Sequence, residues 1–207
     1  MGKVIFLMVF SLTENNELIK IVIHGRGGQG AVTASQIIVE AAYLSGNFID
    51  VHAYPSFGAE RRGAPIQAYA KLSRTEKIWD RAQIETPDII IMLDETILNL
   101  AITSSLEKNG LFLINSDKNP EYFSKKYNLP KENKIIVADI SKLALEKELT
   151  MEGIPIVNIG ILGLLAKAIP DLHLENIKKI IQKRFPVSVR SKNIELIEEA
   201  FKLAKII

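Results

Sequence analysis

The sequence predicts an α/β protein in which a mostly parallel sheet carries helices on both faces, and three observations predict it. An apolar stretch, Ile19 to Ile23, runs straight into Gly25, Gly27, Gly28 and Gly30, and helical periodicity begins immediately afterwards. Ile89 to Leu93 is continuously apolar, which suits a strand covered on both faces, and Leu111 to Asn115 repeats the pattern. Strand-like and helical stretches then alternate, as in βαβ units. The expected architecture is three-layered and Rossmann-like.

The first unit reads as a strand, a tight turn and a helix start. Glycine suits such a turn because it tolerates positive φ and lets another group approach the backbone. The open amides and positive dipole end of the helix favour an anion. Gly25, Gly27 and Gly30 satisfy GxGxxG, and Asp50 lies at about the ~20-residue distance of a ribose-binding carboxylate. A nicotinamide dinucleotide is therefore one reading, and a helix packed closely on a strand without a ligand is another. Asp50 falls near the middle of the apolar stretch Phe48 to Tyr54 rather than at its end, which weighs against the ribose contact.

Ala34, Ile37, Ile38, Ala41 and Leu44 carry the first helix, and Gly46 stands at its C-cap. Ile49, Val51 and Ala53 alternate with polar residues as a second strand. Residues 55 to 65 have no period and carry Glu60, Arg61 and Arg62 among two prolines and two glycines. Those arginines suit bidentate contacts to a phosphate or carboxylate, or a partner chain, or they are solvated charges with Glu60 neutralising one. Ile66 to Leu72 alternates as a third strand, with Ile78-Trp79 as a short edge segment.

Asp94 and Glu95 follow the buried strand, either as crevice carboxylates or as caps of the helix from Thr96. Ile135 to Ala138 is a further strand, and Asp139 or Ser141 caps a helix through Leu149. Pro155 opens a long helix, apolar almost all round, that ends before Pro170. Amphipathic helices from about Leu174 to Phe185 and from about Ser191 to Lys205 close the chain.

With 207 residues, 47% of them hydrophobic, the chain reads as one domain over 19–207 after an N-terminal extension, 1–18. A net charge of +2 demands neither nucleic acid nor an anionic membrane. There is no cysteine, so the chain itself supplies no thiolate to an iron–sulfur cluster, and three scattered histidines nominate no metal site or general base. Met1 to Phe10 is too short an apolar run for a membrane span and lacks a cleavage site, which leaves an added edge strand or an early start, with Met8 as an alternative. A cytoplasmic location is expected. No catalytic residue is nominated, for neither GxSxG nor a Walker lysine is present.

Two stretches together, Ile-His-Gly-Arg-Gly-Gly-Gln-Gly-Ala-Val-Thr-Ala-Ser at 23 to 35 and Pro-Ser-Phe-Gly-Ala-Glu-Arg-Arg-Gly-Ala-Pro at 55 to 65, resemble the gamma subunit of 2-oxoacid:ferredoxin oxidoreductases, the pyruvate synthase type in particular. Thr86-Pro87-Asp88, Leu93-Asp94-Glu95 and Asn158 with Gly163 fit the same family. The resemblance implies a subunit of a complex that converts pyruvate and coenzyme A to acetyl-CoA and passes electrons to ferredoxin. Thiamine diphosphate, Mg and the iron–sulfur clusters would sit on partner subunits. It further implies a place on the coenzyme A side of the site, and the anion-ready turn beside an arginine loop adds the expectation that the amides of Gly27, Gly28, Gln29 and Gly30, with Arg26 and with Arg61 or Arg62, hold coenzyme A phosphates. A stand-alone nicotinamide-dependent dehydrogenase and a ligand-free assembly subunit are the competing readings.

Overall fold

A computed structural model describes residues 16–56 and 62–207. Among them, seven strands form one sheet: β1 (Leu18–Arg26), β2 (Asp50–Pro55), β3 (Pro65–Ser73), β4 (Ile89–Met92), β5 (Leu111–Asn115), β6 (Lys134–Ala138) and a short last strand at Lys205–Ile206. Their order is β2-β3-β1-β4-β5-β6 followed by the last strand. β1, β4, β5 and β6 run parallel, as the apolar runs predict, whereas β3 and the last strand are antiparallel to their neighbours. The extension before residue 16, with its edge-strand or early-start readings, and the stretch from Phe57 to Arg61 lie outside the described residues.

Alternation sorts the strand residues onto two cores. Ile21, Ile23, Ile89, Ile91 and Leu113 face one side, where α1 (Ala31–Ser45) packs with three helices from the end of the chain. Ile90, Met92, Phe112 and Ile114 face the other, covered by Leu98, Leu106 and Phe123. On that second side α2 (Leu100–Ser104) and α3 (Pro120–Lys126) follow β4 and β5, while α4 (Ile140–Glu146), which follows β6, buries Ile140, Leu143 and Ala144 in the first core. Burying both sides is why these strands read as unbroken apolar runs rather than as alternating ones.

The late helices are α5 (Ile161–Ala168), α6 (Leu174–Arg184) and α7 (Val187–Leu203). A Cβ on Gly163 would sit 2.4 Å from the Ile197 carbonyl oxygen and 2.9 Å from the Phe201 amide nitrogen, so the glycine is what lets α5 cross α7 at backbone contact. The apolar helix predicted from Pro155 begins later, at Ile161. Ile154–Pro155 instead pairs with Thr150–Met151 as a hairpin, because Gly153 at φ 79° supplies a tight turn that a helix cannot include. The last helix likewise stops at Leu203, and Lys205 joins the sheet. Ile78-Trp79 is not a strand: Ile78 is buried by the coil that connects β3 to β4, and its amide donates to Asp50 Oδ2 at 2.7 Å, while Trp79 is 86% exposed.

Candidate functional site

The glycine turn lies where β1 ends and α1 begins. Gly28 and Gly30 have φ of 96° and 79°, a conformation that L side chains rarely adopt. Gly30 caps α1 from the left-handed region without a side-chain cap, so the first amides of a 15-residue helix are left open. A Cβ on Gly30 would fall 2.3 Å from Asn158 Nδ2, and Asn158 donates to the Gly30 carbonyl at 3.2 Å. Asn158 Oδ1 is buried and has no partner among the described residues. The Asn158 side chain therefore occupies the space that a side chain at position 30 would need.

The sequence-predicted anion ligands divide into two sets. The Gly27 amide donates to the Ala64 carbonyl at 2.8 Å and the Gln29 amide to the Arg26 carbonyl at 2.9 Å, so both are engaged within the protein. Among the described residues no acceptor takes the amides of Gly28 or Gly30. Of the four amides expected at the site, those of Gly28 and Gly30 are thus the ones left open.

Arg62 is brought to the turn, while Arg61 lies outside the described residues. Gly27 and Arg62 form an isolated parallel bridge, and the Gly63 amide donates to the Gly27 carbonyl at 3.0 Å. The Arg62 side chain passes over Gly28, with Nε 4.0 Å from where a Cβ on that glycine would be. Its guanidinium also donates to Glu152 Oε2 at 2.5 Å, a pair about two-thirds exposed on both sides. Glu152 was not singled out in the sequence, because the hairpin that presents it has no strand-length apolar pattern.

Arg26 is differently placed. Its Nε donates to Asp94 Oδ2 at 2.8 Å, Nη1 to the Gly63 carbonyl at 3.1 Å and Nη2 to Thr96 Oγ1 at 2.8 Å. Asp94 also accepts from the Thr96 amide at 2.9 Å, the capping role weighed for it. Burial pushes the Asp94 carboxyl up, yet the hydrogen bonds from Thr96 and then the Arg26 guanidinium outweigh it and hold the group below the usual carboxylate range.

Two clefts flank the turn. One, of about 400 Å³ at the C-terminal ends of β4 to β6, is lined by Asp94, Glu95, Asp117 and Asp139, of which Asp94 is paired with Arg26 and Glu95 with Lys118. The other, of about 1010 Å³, has His24, Gln67 and Tyr69 along its floor and Arg26 and Arg81 along its walls. Burial holds the His24 imidazole down at about 4, so it is neutral near pH 7. Among the described residues no group of His, Cys, Asp and Glu could hold a metal ion, and no helix is long and apolar enough to cross a membrane.

Asp50 is remote from the turn in the sheet order, because β3 lies between β1 and β2. Its carboxylate accepts from the amides of Val51 at 3.0 Å and Ile78 at 2.7 Å, which makes it a local backbone anchor. The dinucleotide arrangement, which needs that carboxylate on the strand beside the turn, is therefore not built.

Residues 20–203 match the family model described as pyruvate ferredoxin/flavodoxin oxidoreductase. The chain belongs to this family. Similar relatives include the common gamma subunit of pyruvate/ketoisovalerate oxidoreductases from Pyrococcus furiosus, 36% identical over 190 residues, covering 91% of this chain and 98% of the relative. The pyruvate synthase subunit PorC of Thermotoga maritima is 40% identical over 162 residues, 78% of this chain and 80% of that one. The solved structure of the Thermotoga maritima pyruvate oxidoreductase subunit PORC superposes with a TM-score of 0.77 at 34% identity, over 92% of this chain and 99% of the other. A 2-oxoglutarate:ferredoxin oxidoreductase from Magnetococcus marinus shares the fold, with a TM-score of 0.70 at 18% identity, and this chain covers 91% of itself and 31% of that larger one.

Proposed function

We propose that the chain is the gamma-type subunit of a pyruvate:ferredoxin oxidoreductase, and that its glycine turn receives phosphate groups of coenzyme A. The observation that carries the second part is Arg62 lying over Gly28, beside the open amides of Gly28 and Gly30 at the positive end of α1. Backbone donors, a helix dipole and a guanidinium in one place suit a phosphate. Arg61, the neighbour of Arg62 in sequence, is carried forward as a second candidate.

Charge sets the direction of the rest of the ligand. The cleft at Glu95, Asp117 and Asp139 holds more carboxylates than Lys118 beside Glu95 balances, whereas the groove sets Arg26 and Arg81 against Glu85. Coenzyme A would therefore lie from Gly28 toward the groove.

Electron transfer belongs to other subunits. A chain without cysteine offers no thiolate to an iron–sulfur cluster. Thiamine diphosphate with Mg, the clusters and the contact with ferredoxin are accordingly assigned to partners. The Pyrococcus relative is named as common to pyruvate and ketoisovalerate oxidoreductases. A subunit shared by two oxoacids does not choose between them, so oxoacid selection is also placed on a partner. A cytoplasmic location is part of the same reading.

The test is Arg62→Ala in the assembled complex, assayed by pyruvate- and coenzyme A-dependent reduction of a viologen dye. A raised KM for coenzyme A with kcat retained supports the site. An unchanged KM in an intact complex, in Arg61→Ala/Arg62→Ala as well, would leave this chain a ligand-free assembly subunit.

A further inference from the structure

We infer that Arg26 is a positioning residue for the coenzyme A site, holding the Arg62 segment against the glycine turn, and is not itself a phosphate ligand. The inference rests on the coenzyme A reading above and says which arginine does what within it.

Arg26 connects three parts of the chain that are far apart in sequence. Through Nη1 it holds the carbonyl of Gly63, the residue directly after Arg62. By way of Nε and Nη2 it is fixed to Asp94 and Thr96 beyond β4. Its own amide donates to Gln29 Oε1 at 2.7 Å, and Gln29 Nε2 reaches Asp94 Oδ2 at 3.4 Å. One carboxylate thus organises both ends of the glycine turn, and all three guanidinium nitrogens donate to protein acceptors.

Two consequences follow for an incoming anion. Asp94 already balances the Arg26 charge, and a phosphate that recruited Arg26 would have to displace a carboxylate at 2.8 Å. The Gly63 contact, together with Gly63 N to Gly27 O and Gly27 N to Ala64 O, fixes the backbone from which Arg62 extends over Gly28. A rigid fork that meets three acceptors at once is a guanidinium property, which an ammonium cannot reproduce.

The assembled complex, made with Arg26→Ala, Arg26→Lys, Asp94→Asn and the Arg26→Ala/Asp94→Asn double variant, tests this through KM for coenzyme A, kcat, and amide hydrogen exchange over residues 62–66. Arg26→Ala is expected to raise KM on the order of tenfold with kcat nearly unchanged, the effect of a misplaced contact. Arg26→Lys should resemble it. Asp94→Asn, which keeps one acceptor oxygen for the Thr96 cap and turns an amide NH2 toward Arg26 and Gln29, should raise KM in the same direction, and the double variant should be no worse than Arg26→Ala. Exchange over 62–66 should quicken in all of them.

If Arg26→Lys keeps a near-normal KM while Asp94→Asn leaves it unchanged or lowers it, Arg26 is a direct ligand and the inference is overturned. Unaltered exchange over 62–66 would overturn it as well. Faster exchange with no change of KM in any variant, Arg62→Ala included, would instead sink the coenzyme A reading itself.

Discussion

The Arg62 guanidinium lies across Gly28 and is shared with Glu152, whose carboxylate accepts from it at 2.5 Å. The pair is about two-thirds exposed, so water screens it and its contribution to stability is under ~1 kcal/mol. Glu152 is a competitor for the cation that the proposed phosphate would use.

Replacing Glu152 by Gln should therefore leave thermal unfolding almost unmoved and lower KM for coenzyme A by about twofold, the equivalent of ~0.4 kcal/mol. Steady-state kinetics of the complex at low and high salt checks this. A KM that rises would mean that Glu152 orients Arg62 rather than competing for it.

Gly30 is constrained twice, by φ of 79° and by Asn158 at 2.3 Å from a would-be Cβ. Gly30→Ala should lose about 2–4 kcal/mol in denaturant unfolding, combining left-handed strain with overpacking. Asn158→Ala opens the space, so the double variant should lose less than the sum of the singles. Strict additivity would show that Asn158 is not the obstacle.

Gly163 meets backbone atoms of α7 that cannot rotate away. Gly163→Ala is expected to cost about 1–3 kcal/mol despite alanine's better helix propensity. A rise in the unfolding midpoint, which propensity alone would give, is the contrary result.

His24 carries the pH prediction. Its folded value of about 4 lies below the ordinary 6.5, so between the two the unfolded chain binds the extra proton. Stability is then complete above about pH 6.5 and declines as pH falls toward 4, by about 3 kcal/mol in all. Urea midpoints measured across that window should fall for the natural chain, and the slope should flatten in His24→Gln. Equal slopes would assign the acid sensitivity to other groups.

Much of the scaffold is legible from local patterns. Unbroken apolar runs at 89–93 and 111–115 announce buried parallel strands, and glycines after Ile19 to Ile23 announce a turn that opens a helix. Asp94 and Asp139 are the caps, each one of two readings that residue type and position left open. Where reading failed, a neighbour in space intervened. Pro155 looked like a helix start until pairing with Met151 and Thr150 made it a strand, and Ile78 looked like an edge strand until it proved to be tied to Asp50.

By itself, then, the sequence determined the buried parallel strands, the glycine turn that opens the first helix, and that no cluster can be held by this chain's thiolates. These are properties of periodicity, backbone freedom and composition, which act within a few residues or over the whole count. Only the tertiary structure decided which arginine faces Gly28. The antiparallel register that sets Arg26 opposite Pro65 brings Arg62 to the turn, and the parallel pairing of β1 with β4 brings Asp94 to Arg26 across 68 residues. Two arginines of equal charge stand in different surroundings because a carboxylate reaches Arg26 inside the fold, and a long-range strand register, which no local pattern encodes, brings it there.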